Sequence, residues 1–237
     1  LRSVFGRVNY SWKMRYMLMA SFRYDGSSRF ADGNQWGFFP SVSVGWNIAN
    51  EPFWEDMKET VSSFKLRMSY GALGNQSVPL YLYIPKLDSN ADNINYPFDG
   101  KVVNQGYAVR SLPSRNIKWE TTFYKNIGVD MSLWNNKLEF SIEGYIKDTK
   151  DMLSEKNISL STGYGALRTT GMEMQLIYHG NAGKDFKYDL DFNLSHFKSK
   201  LKSMADPNYM YEYGASRTYV GGYFGEFWAY ETAGIIQ

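Results

Sequence analysis

The sequence contains no cysteine, so disulfide scaffolds, thiol chemistry and cysteine-based zinc sites are excluded. Histidine is almost as scarce. His179 and His196 are the whole supply, which leaves little for a histidine-centred metal site or base. Neither sign of charge is in excess: 26 lysine and arginine side chains face 24 aspartates and glutamates, so no electrostatic feature marks the chain for a nucleic-acid partner. Long hydrophobic runs are missing too. No stretch approaches the roughly 18 apolar residues of a helical span, and the mean hydropathy is −0.44. The opening Leu1-Arg2-Ser3-Val4-Phe5 does not read as a signal peptide. There is no P-loop, and Gly163-Tyr164-Gly165-Ala166-Leu167 lies between strands rather than before a helix, unlike a dinucleotide fingerprint. The acids are scattered at alternate positions instead of forming a catalytic pair. No enzyme activity, cofactor or metal is expected.

Aromatic residues, by contrast, are abundant. The chain has 19 Tyr, 15 Phe and 7 Trp, 17% of all residues. Low mean hydropathy with that many aromatics is the composition of a transmembrane β-barrel. Periodicity points the same way. From Tyr16 to Asp25, Tyr16, Leu18, Ala20, Phe22 and Tyr24 alternate with Met17, Met19, Ser21, Arg23 and Asp25. The same period of two recurs in about eight segments, and it predicts an antiparallel sheet with one apolar face. Several segments, such as Phe39 to Asn50 and Trp119 to Leu133, match or exceed the roughly 9–11 residues that a tilted strand needs to cross a bilayer.

The alternation assigns faces. Val8, Tyr10, Leu18, Phe22, Val44, Trp46, Met68, Phe140 and Ile142 are expected toward lipid. Arg7, Asn9, Arg23, Ser43, Arg67, Glu139 and Glu143 are expected toward the lumen. Connections alternate between short, as at Trp12 to Arg15, Trp134 to Lys137 and Gly180 to Asp185, and long, as at Gly26 to Gly37, Gln76 to Lys118 and Met152 to Arg168. Periplasmic turns and extracellular loops differ in this way. One short link is expected to carry a short periplasmic helix or helical turn over Glu51 to Ser62, packed on the barrel rim and opened by Asn50 as N-cap with an early Pro52. Its apolar face would hold Phe53, Trp54, Met57 and Val61. Around the Gly26-Ser27-Ser28 turn, Arg23, Asp25 and Arg29 are expected to form a hydrogen-bonded cluster that orders the first outer loop, with Gly26 supplying a positive φ. The long loops from Ser77 to Lys118 and from Lys202 onward are the candidate contact surfaces. The second strings together Tyr209, Tyr211, Tyr213, Tyr219, Tyr223, Phe227, Trp228 and Tyr230, and Tyr219, Tyr223, Phe227 and Trp228 are its candidate contact residues. His179 and His196 read as rim residues, and Asn157-Ile158-Ser159 as a chance sequon.

Several blocks follow one another in a fixed order: Arg7-Val8-Asn9-Tyr10-Ser11, Arg23-Tyr24-Asp25-Gly26-Ser27-Ser28-Arg29-Phe30 and Phe39-Pro40-Ser41-Val42-Ser43-Val44-Gly45-Trp46. Lys65-Leu66-Arg67-Met68-Ser69-Tyr70-Gly71 with Gly74-Asn75-Gln76, Trp119-Glu120-Thr121-Thr122 and Gly171-Met172-Glu173 continue the series. Together these blocks resemble the SusC/RagA family of TonB-dependent outer-membrane transporters of Bacteroidetes. Thr170 stands where the family has Asn, and the segment before Gly171 is shorter than the family's. The resemblance implies that residues 1–237 are part of a 22-stranded barrel domain, with the plug, the TonB box and the closing strands absent. It further implies import of a bulky nutrient, a glycan or a peptide, beneath a SusD-like surface lipoprotein. TonB would act through the missing N-terminal region, and outer-membrane lipid would surround the wall. A structural subunit of a larger outer-membrane assembly is the alternative, and a soluble carbohydrate-binding module a weaker one.

Overall fold

The computed structural model describes residues 1–78, 80, 82–88, 96–98, 102–104, 108–111, 113, 115–152, 165–183, 185–204 and 210–229. The main element is one antiparallel sheet of eight strands. Four come first: β1 (Arg2–Trp12), β2 (Tyr16–Gly26), β3 (Trp36–Asn47) and β4 (Val61–Asn75). Two short ribbons follow, in which β5 (Lys86–Asp88) pairs with β8 (Ala108–Ser111) and β6 (Tyr96–Phe98) with β7 (Val102–Asn104). The sheet then resumes with β9 (Glu120–Leu133), β10 (Leu138–Lys150), β11 (Ala166–Ala182) and β12 (Phe186–Ser203). Its order is β1-β2-β3-β4-β9-β10-β11-β12, so each of the eight lies beside its neighbour in the chain, with the ribbons looped out. A small sheet of β13 (Tyr211–Tyr213), β14 (Ser216–Thr218) and β15 (Glu226–Phe227) follows. The eight strands run from 11 to 18 residues, longer than the ~5–6 usual in soluble sheets. Among the described residues β1 and β12 do not pair with each other, so the sheet is an open section of wall.

The register turns the sequence alternation into faces, because residues directly opposite in an antiparallel pair share one. One row runs Trp12, Tyr16, Trp46, Leu66, Val129, Ile142, Met174, Leu194. The next runs Ser11, Met17, Gly45, Arg67, Gly128, Glu143, Glu173, Ser195, and the one after that Tyr10, Leu18, Val44, Met68, Ile127, Gly144, Met172, His196. Arg67 and Met68 therefore stand on opposite faces. Val8, Phe22 and Phe140 join the apolar rows. Arg7, Asn9, Arg23, Ser43 and Glu139 join the polar ones. On the apolar face of β10, Leu138, Phe140, Ile142, Gly144 and Ile146 precede the first charge at Asp148. That band is about 27 Å along the strand, or about 20 Å in height at a tilt near 45°. Its turn-side border is aromatic: Trp12 stacks on Tyr16 at 5.7 Å and Tyr16 on Trp46 at 6.3 Å.

Two of the short turns, β1–β2 and β9–β10, are built without the usual glycine, whereas the β11–β12 turn keeps one, Gly183 at φ 75°. Lys13 and Met14 both take positive φ, 51° and 52°, as a two-residue type I′ hairpin requires, and the Arg15 amide donates to the Trp12 carbonyl at 3.0 Å. Asn135 and Asn136 do the same job between β9 and β10 at φ 55° and 64°.

The helix or helical turn expected over Glu51 to Ser62 forms over a shorter span, and as 3₁₀ rather than α-helix. Two 3₁₀ turns, Ile48–Asn50 and Pro52–Met57, occupy the link, and β4 begins at Val61. Asn50 caps nothing; its side-chain amide donates to the Met14 carbonyl at 2.9 Å. The Trp54 indole donates to the Val61 carbonyl at 3.2 Å and its ring stacks on Phe64 at 5.3 Å, which draws the chain back to the sheet after one turn. Phe53 stays 65% exposed, so no apolar helical face is buried.

Phe30, Phe39, Ala72, Val78 and Trp119 form the buried core, at the long-loop end where pairing of β3 with β4 stops at Ser41 and Gly71. The Trp119 indole donates to the Gln35 carbonyl at 2.9 Å, tying the start of β9 to the first long loop.

Candidate functional site

The polar face carries a network over three strands. Arg67 lies on β4, and its path toward β10 crosses β9 at Gly128. A Cβ there would sit 3.0 Å from the guanidinium carbon, so the missing side chain opens the passage. The Arg67 Nε donates to Asp130 at 3.1 Å, its Nη1 pairs with Glu143, and Ser141 Oγ donates to Asp130 at 2.8 Å. A second group lies nearer the turns. His179 Nδ1 is 2.6 Å from Asp189 and its Nε2 is 3.6 Å from Glu139. Of the polar-face residues read from the sequence, Arg67 and Glu143 meet, Glu139 joins His179, and Arg7 and Asn9 stand apart on β1. The contributions of Asp130, Ser141 and His179 went unread, because they depend on cross-strand register: within hairpins for Ser141 with Asp130 and His179 with Asp189, and between β4 and β9 for Arg67 with Asp130.

The expected cluster in the first long loop is only half formed. Arg23 and Asp25 pair at 3.1 Å, with Asp25 buried. Arg29 turns away and donates to the Val78 carbonyl, while its amide donates to Ser27 Oγ at 3.3 Å. The reason is packing: Phe30 fills the core beside Val78, which carries Arg29 toward the second long loop rather than back to β2. Gly26 is also used differently from the expectation. It is extended, and the Trp36 ring lies over it, 2.8 Å from where a Cβ would be; the positive φ falls at Gly33, 89°.

Downstream, the strip from Gly221 to Phe224 returns along the end of β12. The Leu201 amide donates to the Gly222 carbonyl at 3.0 Å and the Phe224 amide to Ser199 at 2.8 Å. Phe227 is 88% exposed, and Tyr219, Tyr223 and Trp228 are also exposed. Trp228 is partly covered by Arg217, whose guanidinium carbon lies 4.2 Å from the ring centroid, and Lys198 lies 5.6 Å above Tyr223. Tyr209, Tyr230 and Asn157-Ile158-Ser159 lie outside the described residues, as do the side chains of Tyr211 and Tyr213.

At the short-turn end, Glu51 is buried and clamps three elements. It accepts from the Trp46 indole at 3.0 Å and from the Tyr16 hydroxyl, and pairs with Arg15 at 3.4 Å. These partners hold its carboxyl below the usual carboxylate range, the Tyr16 hydrogen bond most of all. A carboxyl depressed in the folded state contributes stability that is fully present above its unfolded value and is lost as pH falls through the folded one. Acid unfolding of the wild type should therefore show a loss below about pH 4.5 that Glu51→Gln lacks, measured as heat-modifiable gel mobility across pH. Parallel acid curves for the two proteins would refute the clamp.

The family model for the TonB dependent receptor-like β-barrel matches residues 2–232. TonB-dependent receptor P3 of Formosa agariphila is 32% identical over an alignment that covers all of this chain and 25% of that protein. TonB-dependent receptor SusC of Bacteroides thetaiotaomicron is 34% identical, over 90% of this chain and 22% of its own length. Among solved structures, the RagAB peptide transporter superposes with a TM-score of 0.82 at 24% identity, over 95% of this chain and 25% of that one, a likeness of fold. The chain thus spans about a quarter of the length of the relatives it matches. It belongs to the TonB-dependent receptor family, as an eight-stranded section of that family's β-barrel.

Proposed function

We propose that this chain is the wall of an outer-membrane transporter of SusC/RagA type, importing a bulky nutrient such as a glycan or a peptide. The single observation that carries the reading is the two-faced sheet: an apolar band free of Lys, Arg, Asp and Glu over the rows from Leu138 to Gly144, backed by a polar face with a multi-strand ionic network. In this reading the apolar face meets lipid, and Arg7, Asn9, Arg67, Glu139 and Glu143 face the lumen. The short turns are periplasmic and the long loops extracellular. A SusD-like lipoprotein caps the loops, and TonB engages a part of the full-length protein that lies outside this chain. The similarity to SusC supports a transporter of this kind, and the fold of the RagAB peptide transporter is compatible with a peptide as cargo.

The test is deletion of the full-length gene with growth measured on single glycans and peptides, repeated in a strain lacking TonB. Loss of growth on one substrate class in both strains supports import. Unimpaired growth on all of them, with loss of a co-purifying assembly, would favour a structural subunit instead.

The exposed aromatics after β12 supply the surface for capture, since flat rings give large contact area at little entropic cost. Replacing Tyr219, Tyr223 and Trp228 by Ala should leave heat-modifiable folding intact and weaken capture of the cap protein or substrate by about tenfold, some 1.4 kcal/mol. Undiminished binding would show that these rings only pack on their own loop.

A further inference from the structure

The apolar face is not uniform at its long-loop border. On β2 and β3 the border is aromatic, with Tyr24 stacked on Trp36 at 4.8 Å and Phe38 beside them. On β9 to β12 it is basic. Lys125 and Lys198 share one row with Ile146 and Thr170 between them, and Lys200 ends the next row, beyond Asp148 and Arg168. Lys150 lies further along β10. The charges are not equivalent. Arg168 is consumed by Asp148, which it holds with two hydrogen bonds of 2.5 and 3.1 Å. Lys125, Lys150, Lys198 and Lys200 are exposed, and none forms an ion pair with a carboxylate among the described residues. Two of them are held against the face by rings, Lys150 over Phe123 at 5.4 Å and Lys198 over Tyr223 at 5.6 Å.

One row toward the turns from these ammonium groups stand Ile127 on β9 and Met172 on β11, both exposed, with Gly144 between them and His196 beside them on β12; Leu194, also exposed, lies one row further on. Cations above an apolar strip suit an amphiphile with an anionic head. Lys125 and Lys198 are three strand spacings apart, about 14 Å. That breadth fits a sugar-phosphate headgroup better than a lone ion.

Resting on the membrane placement proposed above, we propose that this border binds the phosphorylated headgroup of an outer-leaflet glycolipid. The lysines take the phosphate as point charges, and the acyl chains lie along Ile127, Met172 and Leu194. The aromatic border on β2 and β3 lacks the charges and does not bind it.

The experiment uses the full-length protein in mild detergent, with phosphorylated lipid A in mixed micelles as probe. Lys125→Gln, Lys198→Gln and Lys200→Gln should each weaken binding by about fivefold. Enzymatically dephosphorylated lipid A should bind the wild type no better than phosphorylated lipid A binds the triple variant, and millimolar inorganic phosphate should not displace the lipid. Wild-type affinity in the triple variant, or equal affinity for dephosphorylated lipid A, would overturn the proposal. Displacement by inorganic phosphate would overturn it as well, reducing the patch to a free-anion site. The membrane placement is read separately, by outer-membrane fractionation and heat-modifiable migration. A correctly located barrel that binds lipid A unchanged after the substitutions sinks only this proposal, whereas absence from the outer membrane sinks the placement.

Discussion

An arginine at Ile142 is expected to cost the barrel about 2–4 kcal/mol, whereas the same substitution at Ser69 is expected to cost less than about 1 kcal/mol. Ile142 sits in mid-band on the apolar face, flanked in its row by Val129 and Met174. An arginine there must either enter hydrocarbon or stretch along the strand to reach a headgroup, and the middle of the band is the worst place from which to stretch. Ser69 lies on the other face, opposite Ser43 and Asn126, where a charge meets polar neighbours. Urea titration of the full-length barrel refolded into detergent or lipid, followed by gel mobility, measures both. Equal costs at the two positions would mean that the sheet faces water on both sides, and the lipid assignment would fall with them.

Replacing Arg67 by Met has the second largest expected effect, about 1.5–3 kcal/mol, the range for hydrogen bonds to charged groups. The substitution keeps most of the apolar stem and removes the guanidinium, leaving Asp130 and Glu143 on adjacent strands with no cation between them. The Glu143 side chain is only 20% exposed, so water cannot fully compensate. A cycle with Glu143→Gln separates the pair from the rest of the network. If the two single losses simply add, Arg67 and Glu143 are neighbours without coupling.

The alternation was legible in the sequence because it needs only local information: Phe22, Val44 and Met68 each announce their face by their own flanking residues. The Arg67 network was legible only as a list of polar positions. Its assembly depends on β4 lying beside β9, and on the single glycine at position 128, neither of which a one-strand pattern can show. The turn at Lys13-Met14 carries no asparagine or glycine, so its type emerged only from the backbone. The helix or helical turn expected over Glu51 to Ser62 takes the 3₁₀ form over Pro52–Met57 for a simple reason. Proline and early acids fit a 3₁₀ turn as well as an α-helix, and what decided was where Trp54 could dock. Arg29 was misplaced because Phe30 commits its segment to the core shared with Val78, a contact between two loops far apart in the chain.

The register pairs Asn75 directly with Glu120, so the two ends of the long loop between β4 and β9 are fixed side by side whatever lies between them. For a chain whose ends are already held, the entropic penalty of extra length grows only logarithmically, about 0.6 kcal/mol for each doubling. The wall is thereby insulated from the middle of the loop, though not from its ends, where Val78 and Trp119 belong to the core. Insertions, deletions and replacement between Leu82 and Ile117 would scarcely change the stability of the strands. That middle part of the loop is therefore free to drift, at a rate the sheet beneath it does not set.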